Sequence, residues 1–247
     1  MKKFITLLHF MGYKFFEVVF LIIFFNTDLK RTMIDQNKLA ALRQNYSLKT
    51  LDEKSVDINP FKQFSVWFNE VLEAEITEPN AMILSTSNAE SKPDLRTVLL
   101  KGFDEKGFVF YTNYLSQKAK ALDENPQATL LFFWKELERQ VRIYGMVNRT
   151  SSAESDEYFN SRPYESRIGA WVSLQSSVVP DRKYLEDKFV ELKSKMNEQT
   201  IKRPEYWGGF RVIPSYFEFW QGRENRLHDR IIYELQSESW KIYRLSP

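Results

Sequence analysis

The chain has 247 residues, 35 basic and 33 acidic side chains for a net charge of +2, 15% aromatic residues and no cysteine. That length supports one large domain or two small ones with a sizeable core. The near-balanced charge does not predict a nucleic-acid binder, and the missing cysteine excludes disulfides, thiolate nucleophiles, iron–sulfur clusters and cysteine zinc sites.

Residues 1–32 differ from the rest, being rich in Phe, Ile and Leu, with an uninterrupted apolar run only from Val18 to Phe25. That run is short for a membrane span, which needs about 20 residues, and no small-x-small cleavage site follows it. The expectation is an upstream extension with Met33 as natural initiator, a targeting segment being the alternative. Residues 33–247 are read as one domain.

Met33–Tyr46 reads as a polar helix and Ser47–Asn59 as a loop. Asn59-Pro60 opens a helix, with Asn59 as N-cap and proline at the first helical position; Phe61, Phe64, Phe68 and Val71 mark its buried stripe. Strand-like runs follow at Ala81–Thr86, Arg96–Phe103, Gly107–Asn113, Thr129–Trp134 and Gln140–Arg149. Ser116 caps a helix running to about Glu124, and Ser151 with Glu154 makes a capping box for another that Pro163 ends. A longer amphipathic helix carries Leu185, Phe189, Leu192 and Met196. Strands at Arg211–Trp220, His228–Leu235 and Lys241–Leu245 close the chain. Short strands separated by turn signals predict a mainly β fold, a barrel with peripheral helices.

Two histidines, His9 and His228, cannot build a multi-histidine metal site, so no metal is expected. Neither a Gly-x-Ser-x-Gly elbow nor a GxGxxG or Walker motif occurs. An enzyme of this composition would leave its demanding chemistry to an organic cofactor. The segment Phe217–Arg230 places Arg223, Arg226, His228 and Arg230 within eight positions, directly after an aromatic run. If Arg226–Arg230 is extended, Arg226, His228 and Arg230 share one face, while Arg223 reads as a solvated turn residue. Arg96 and Lys101 bracket an apolar strand and would point to opposite faces. Tyr111-Thr112 and the helix start at Ser116-Gln117-Lys118 supply hydroxyls, free N–H groups and a cation, the makings of a phosphate site or of an ordinary cap. Tyr158 and Arg162 lie four apart on one helix face, with Ser166 after the break, either a second anion site or a solvated face. Gln140, Gln175 and Ser176 are polar groups able to pair with a heterocycle's edge, or plain turn and edge residues.

Taken together, Arg96–Lys101, Tyr111-Thr112-Asn113, Leu137–Gln140, Ser161-Arg162-Pro163, Gly169–Ser173, Gln175-Ser176-Ser177, Trp207–Arg211 and Glu218–Arg230 resemble the pyridoxine (pyridoxamine) 5′-phosphate oxidase family. The resemblance covers about Leu42 to Pro247. It implies an FMN-binding split β-barrel, a cytoplasmic homodimer with FMN at the subunit interface, and no nucleic-acid or membrane partner unless residues 1–32 are genuine. It implies oxidation of pyridoxamine or pyridoxine 5′-phosphate to pyridoxal 5′-phosphate, with O2 as acceptor. By the same match FMN would contact Arg96, Thr97, Val98, Leu99, Leu100, Lys101, Tyr111, Thr112, Gln117, Lys118, Gln140, Gln175, Ser176, Trp220 and Arg230. Lys101, Tyr158, Arg162 and Ser166 would hold the substrate phosphate, and Arg226 and His228 would lie against the substrate ring as the catalytic pair. Arg43 and Tyr46 match a segment that closes over the site. Gln117 departs from the arginine common at its position, and Glu78 from an aspartate. Another split-barrel flavin reductase and a non-catalytic binder of FMN or pyridoxal phosphate are the alternatives.

Overall fold

The computed structural model describes residues 35–42 and 44–247, so the readings placed on residues 1–32 and on Arg43 lie outside the described residues. The chain divides into two compact units, Met1–Asn45 and Tyr46–Pro247. In the first, α1 (Gln36–Ala41) is a short helix whose N-cap Asp35 accepts the Asn37 N–H at 2.9 Å. It ends well before Tyr46, where the sequence pattern continued.

The second unit begins as a loop and enters α2 (Pro60–Glu73), whose first free N–H groups are met by the Asn59 side chain. Phe61, Phe64 and Val71 of α2 are buried as their spacing requires, and Trp67 joins them. Nine strands form one antiparallel sheet: β1 (Ala81–Ser87), β2 (Pro93–Leu99), β3 (Gly102–Asp104), β4 (Gly107–Asn113), β5 (Gln127–Trp134), β6 (Arg139–Arg149), β7 (Trp207–Gln221), β8 (Asp229–Gln236) and β9 (Ser239–Arg244). The order is β2-β1-β5-β6-β7-β4-β3, with β8 also on β7 and β9 on β8. Four further helices sit around it: α3 (Gln117–Glu124), α4 (Ser152–Ser161), α5 (Tyr164–Val172) and α6 (Arg182–Lys195).

β7 explains the split. β6 runs along one of its edges, while the other edge pairs residues 207–212 with β4 and residues 216–221 with β8. Between the halves the register to β6 slips, because Tyr144 faces Tyr216 but Gly145 faces Pro214. Ser215 is the extra residue of this bulge, a place where proline's missing N–H costs no ladder bond. Gly145 is required there, since a Cβ would lie 2.0 Å from the Ile213 carbonyl oxygen. At ~3.3 Å per residue, roughly 40 Å of strand separates Trp207 from Trp220.

The main core is aromatic. Phe64, Phe108, Phe110, Phe132, Phe217 and Phe219 are fully buried, and their rings meet edge-on or offset, as between Phe64 and Phe108 at 5.0 Å. A second cluster of Phe159, Ile168 and Trp207 ties α4 and α5 to the start of β7, with Leu185, Phe189, Leu192 and Met196 of the α6 region packed against it.

Two expected strands begin or end elsewhere, and one helix had no counterpart in the sequence pattern. The strand expected over Arg96–Phe103 breaks after Leu99, and only Gly102–Asp104 resumes it. A helix, α5, follows directly on Pro163, which ends α4 and also serves as the N-cap residue of α5. β8 starts at Asp229, and the preceding residues form a tight turn in which Asn225 and Arg226 have φ of 55° and 60°. The extended row of Arg226, His228 and Arg230 therefore does not exist.

Candidate active site

A cleft of about 970 Å³ opens between β2, β4 and the helices α3, α4 and α5. Arg96, Thr97, Val98 and Leu99 line it from β2, and Lys101 from just beyond. Because the strand breaks before Lys101, both end cations reach the same cleft, against the expectation of opposite faces. Leu100 is the exception: its side chain is buried in the core, and its N–H and carbonyl both pair with Asn80. Arg96 is held by an ion pair with Asp94 and by a bond to the Thr86 hydroxyl at 2.8 Å.

Lys118, in the first turn of α3, is buried at 9% exposure. Its ammonium donates to Gln175 Oε1 at 2.8 Å and Thr112 Oγ1 at 3.3 Å, but no carboxylate pairs with it among the described residues. Burial, and next the positive Arg96, lower its pKa to about 8, with Asp94 opposing. Gln117 and Ser176 stand beside it, joined by the Gln117 N–H to the Ser176 hydroxyl at 3.3 Å.

The opposite wall is aromatic. Tyr111 stacks on Tyr158 at 3.9 Å and on Trp207 at 5.6 Å. Burial pushes the Tyr111 hydroxyl up to about 12. The Arg162 guanidinium lies 4.6 Å over the Trp207 ring, and its Nη1 is buried with no hydrogen-bond partner. Burial lowers its pKa, against the pull of Tyr158. Ser166 lines the same wall from α5. Among the described residues no carboxylate pairs with Lys118 or Arg162, and a charged group taken out of water without a counter-charge is costly. The cleft is built for an anion.

The remaining expected residues gather elsewhere, where β6 and β7 meet β8. Gln140 sits opposite Trp220 in the β6–β7 register. His228 packs against Trp220 at 4.6 Å, and Tyr46 closes over both rings at 5.8 and 5.7 Å. Gly222 makes that approach possible, since a Cβ there would meet Tyr46 at 2.8 Å. Arg226 is exposed on the turn. Arg230 donates to Glu218 from Nε at 3.1 Å and Nη2 at 2.9 Å. Arg223 is not merely solvated: its guanidinium meets Asp229 at 3.3 Å, and its backbone N–H donates to His228 Nδ1 at 3.1 Å.

Sequence reasoning gave no site role to Asp94 and Trp207 in the cleft, or to Glu138, Glu218 and Asp229 at the corner. Glu218 had a signal, because an acid in an aromatic strand sharing a face with Trp220 must find a cation. Glu138 had none; it adopts φ 54° and accepts the Leu48 N–H at 3.1 Å across 90 residues.

Residues 68–196 match the family model described as pyridoxamine 5′-phosphate oxidase, and residues 207–247 the model described as the pyridoxine 5′-phosphate oxidase C-terminal dimerisation region. The pyridoxine/pyridoxamine 5′-phosphate oxidase of Trichormus variabilis is 56% identical over 210 residues, covering 85% of this chain and 98% of that one. The protein of the same name from Rubrobacter xylanophilus is 50% identical over 209 residues, covering 85% and 96%. Among solved structures, PhzG from Burkholderia lata 383, in complex with tetrahydrophenazine-1-carboxylic acid, superposes with a TM-score of 0.76 at 27% identity, covering 81% of this chain and all of that one. A pyridoxamine 5′-phosphate oxidase-related, FMN binding protein from Nostoc punctiforme shares the fold, with a TM-score of 0.63 at 15% identity, covering 78% of this chain and all of that one. Matched along both halves of its sheet and at more than half identity by a near full-length relative, this chain belongs to the pyridoxine/pyridoxamine 5′-phosphate oxidase family.

Proposed function

We propose that the protein binds FMN and oxidises pyridoxamine or pyridoxine 5′-phosphate to pyridoxal 5′-phosphate. O2 takes the two electrons and two protons and leaves as H2O2; the amine substrate also consumes water and releases ammonia. The observation that carries the reading is a pair of cations that no carboxylate meets among the described residues, the buried Lys118 and the half-buried Arg162 with its buried Nη1, in one cleft of ligand size. Both FMN and the substrate carry a phosphate, and two separate cationic positions answer two phosphates.

In this reading Lys118, with Gln117, Thr112, Gln175 and Ser176, holds the FMN phosphate end, and Arg96 to Leu99 with Tyr111 line the ring. Leu100 contributes core packing in place of a contact. Arg162, Tyr158, Ser166 and Lys101 hold the substrate phosphate. When bound, FMN supplies the electron sink, and the protein's share is positioning and polarisation. Trp220, with Gln140, Arg226, His228 and Arg230 grouped at its corner, is separated from the Trp207 wall by roughly 40 Å of strand. They serve a site only if a second copy brings its corner to this chain's cleft. A cytoplasmic homodimer with FMN between the copies is therefore part of the proposal, supported by the matched dimerisation region. Among the described residues no helix is long and apolar enough to cross a membrane.

The protein purified with FMN is expected to be yellow and to convert pyridoxamine 5′-phosphate and O2 into the absorbing aldehyde. Flavin-loaded protein that yields no pyridoxal phosphate sinks the reading. Turnover of a reduced phenazine precursor instead would place the chain with its PhzG relative.

A further inference from the structure

His228 is the only described histidine, and its ring is held in a way that fixes where its proton sits. The Arg223 backbone N–H points at Nδ1 from 3.1 Å. A backbone amide can only donate, so Nδ1 must present a lone pair. Turning the ring over would set a carbon against that N–H and leave it unmet, a loss of the kind buried backbone groups avoid. The neighbouring carboxylate does not compete. Asp229 is already engaged by the Leu51 N–H at 3.0 Å, by Arg223 Nη1 at 3.3 Å and by Arg244 Nη1 at 2.6 Å. The Tyr46 and Trp220 rings and the Arg226 charge also lie beside it. Burial, followed by Arg226, lowers the imidazole's affinity for a second proton, and Asp229 only partly offsets this.

We infer that His228 works as a neutral imidazole that carries its proton on Nε2 and donates it to a hydrogen-bond acceptor on the bound substrate, with the Arg223 amide as the group that sets this tautomer. The arrangement is the reverse of a carboxylate–histidine dyad, where an acid keeps the proton on Nδ1 and frees Nε2 as a base. His228 is then not the base that takes a proton from the substrate's hydroxyl or ammonium group. Arg223 is a positioning residue through its main chain, and its side chain, pinned on Asp229, keeps that main chain in place. The identity of the acceptor rests on the function proposed above; the tautomer does not.

The test is a long-range proton–nitrogen correlation spectrum of the full, FMN-loaded, nitrogen-15-labelled protein at neutral pH. The His228 signals are those missing from His228→Gln. A pyrrole-type Nε2 and a pyridine-type Nδ1 are expected, and a proton on Nδ1 or on both nitrogens overturns the inference. Kinetics give a second reading. Gln can offer an amide N–H near the Nε2 position, whereas Asn reaches only to Nδ1. His228→Gln should keep kcat/KM at least roughly tenfold above His228→Asn, the worth of one hydrogen bond to a polar ligand group. Equal losses, or the reverse order, overturn the donor role. Wild-type protein that makes no pyridoxal phosphate would overturn the proposed function while leaving the tautomer readable.

Discussion

The cleft and the β7–β8 corner both collect arginines, but they treat charge in opposite ways. At the corner nearly every cation has a carboxylate: Arg230 lies on Glu218, Arg223 and Arg244 on Asp229, and Arg244 also on Glu53. In the cleft Arg96 is paired with Asp94, but among the described residues Lys118 donates only to neutral oxygens and Arg162 Nη1 has no hydrogen-bond partner. The corner is thus finished by its own residues and holds its groups rigidly. The cleft is complete only with an anion in it. Positioning and binding are separate tasks, and a cation left unpaired among the described residues points to the second.

The sharpest way to break this contrast is at Glu218, which is 2% exposed beneath Arg230. Glu218→Ala should cost about 3–5 kcal/mol in urea unfolding, because a partly buried guanidinium loses its counter-charge. A loss below about 1 kcal/mol would mean that the corner is not held by its pairs. Lys118→Met should act the other way. It relieves a buried charge, so the apoprotein should be no less stable, while FMN affinity measured by fluorescence quenching should drop roughly 10- to 100-fold.

The same lysine predicts a pH signature. Its folded pKa, about 8, lies below its ordinary 10.5. Between those values the unfolded chain binds the extra proton, so apoprotein stability should rise with pH across that window. FMN affinity should do the reverse, staying level below pH 8 and weakening by up to about tenfold per unit above it. Parallel pH profiles for stability and affinity would remove Lys118 from the anion site. The smallest effect belongs to pairs outside both regions. Lys183 and Asp187, 75% and 65% exposed on α6, form a bridge that Lys183→Ala should remove at a cost of less than about 0.5 kcal/mol in the same unfolding assay.

Much of this molecule could be read locally. Asn59-Pro60 and Ser116 cap their helices as their residue types dictate, and the residues drawn from β2, β4, α3 and α4 do converge on one cleft. What escaped was set at long range or by backbone hand. Arg226 and Glu138 are left-handed without a glycine to announce it. Arg223 looked idle because its partners are a ring five residues on and a carboxylate that also grips Leu51, 178 positions away. Lys101 was assigned to the wrong face because the strand stops at Leu99, two residues short of it, so alternation does not extend to it.

The length of β7 has a genetic consequence. On the proposed reading each site takes its cleft from one copy and its corner from another. Arg162→Ala and His228→Asn then damage different halves of the same site. Each variant alone should be crippled, yet a mixed dimer would concentrate both lesions in one site and leave the other whole. Unfolding and refolding the two variants together at equal amounts should restore about one site in four. Two defective alleles of this chain would complement each other, whereas two cleft alleles would not.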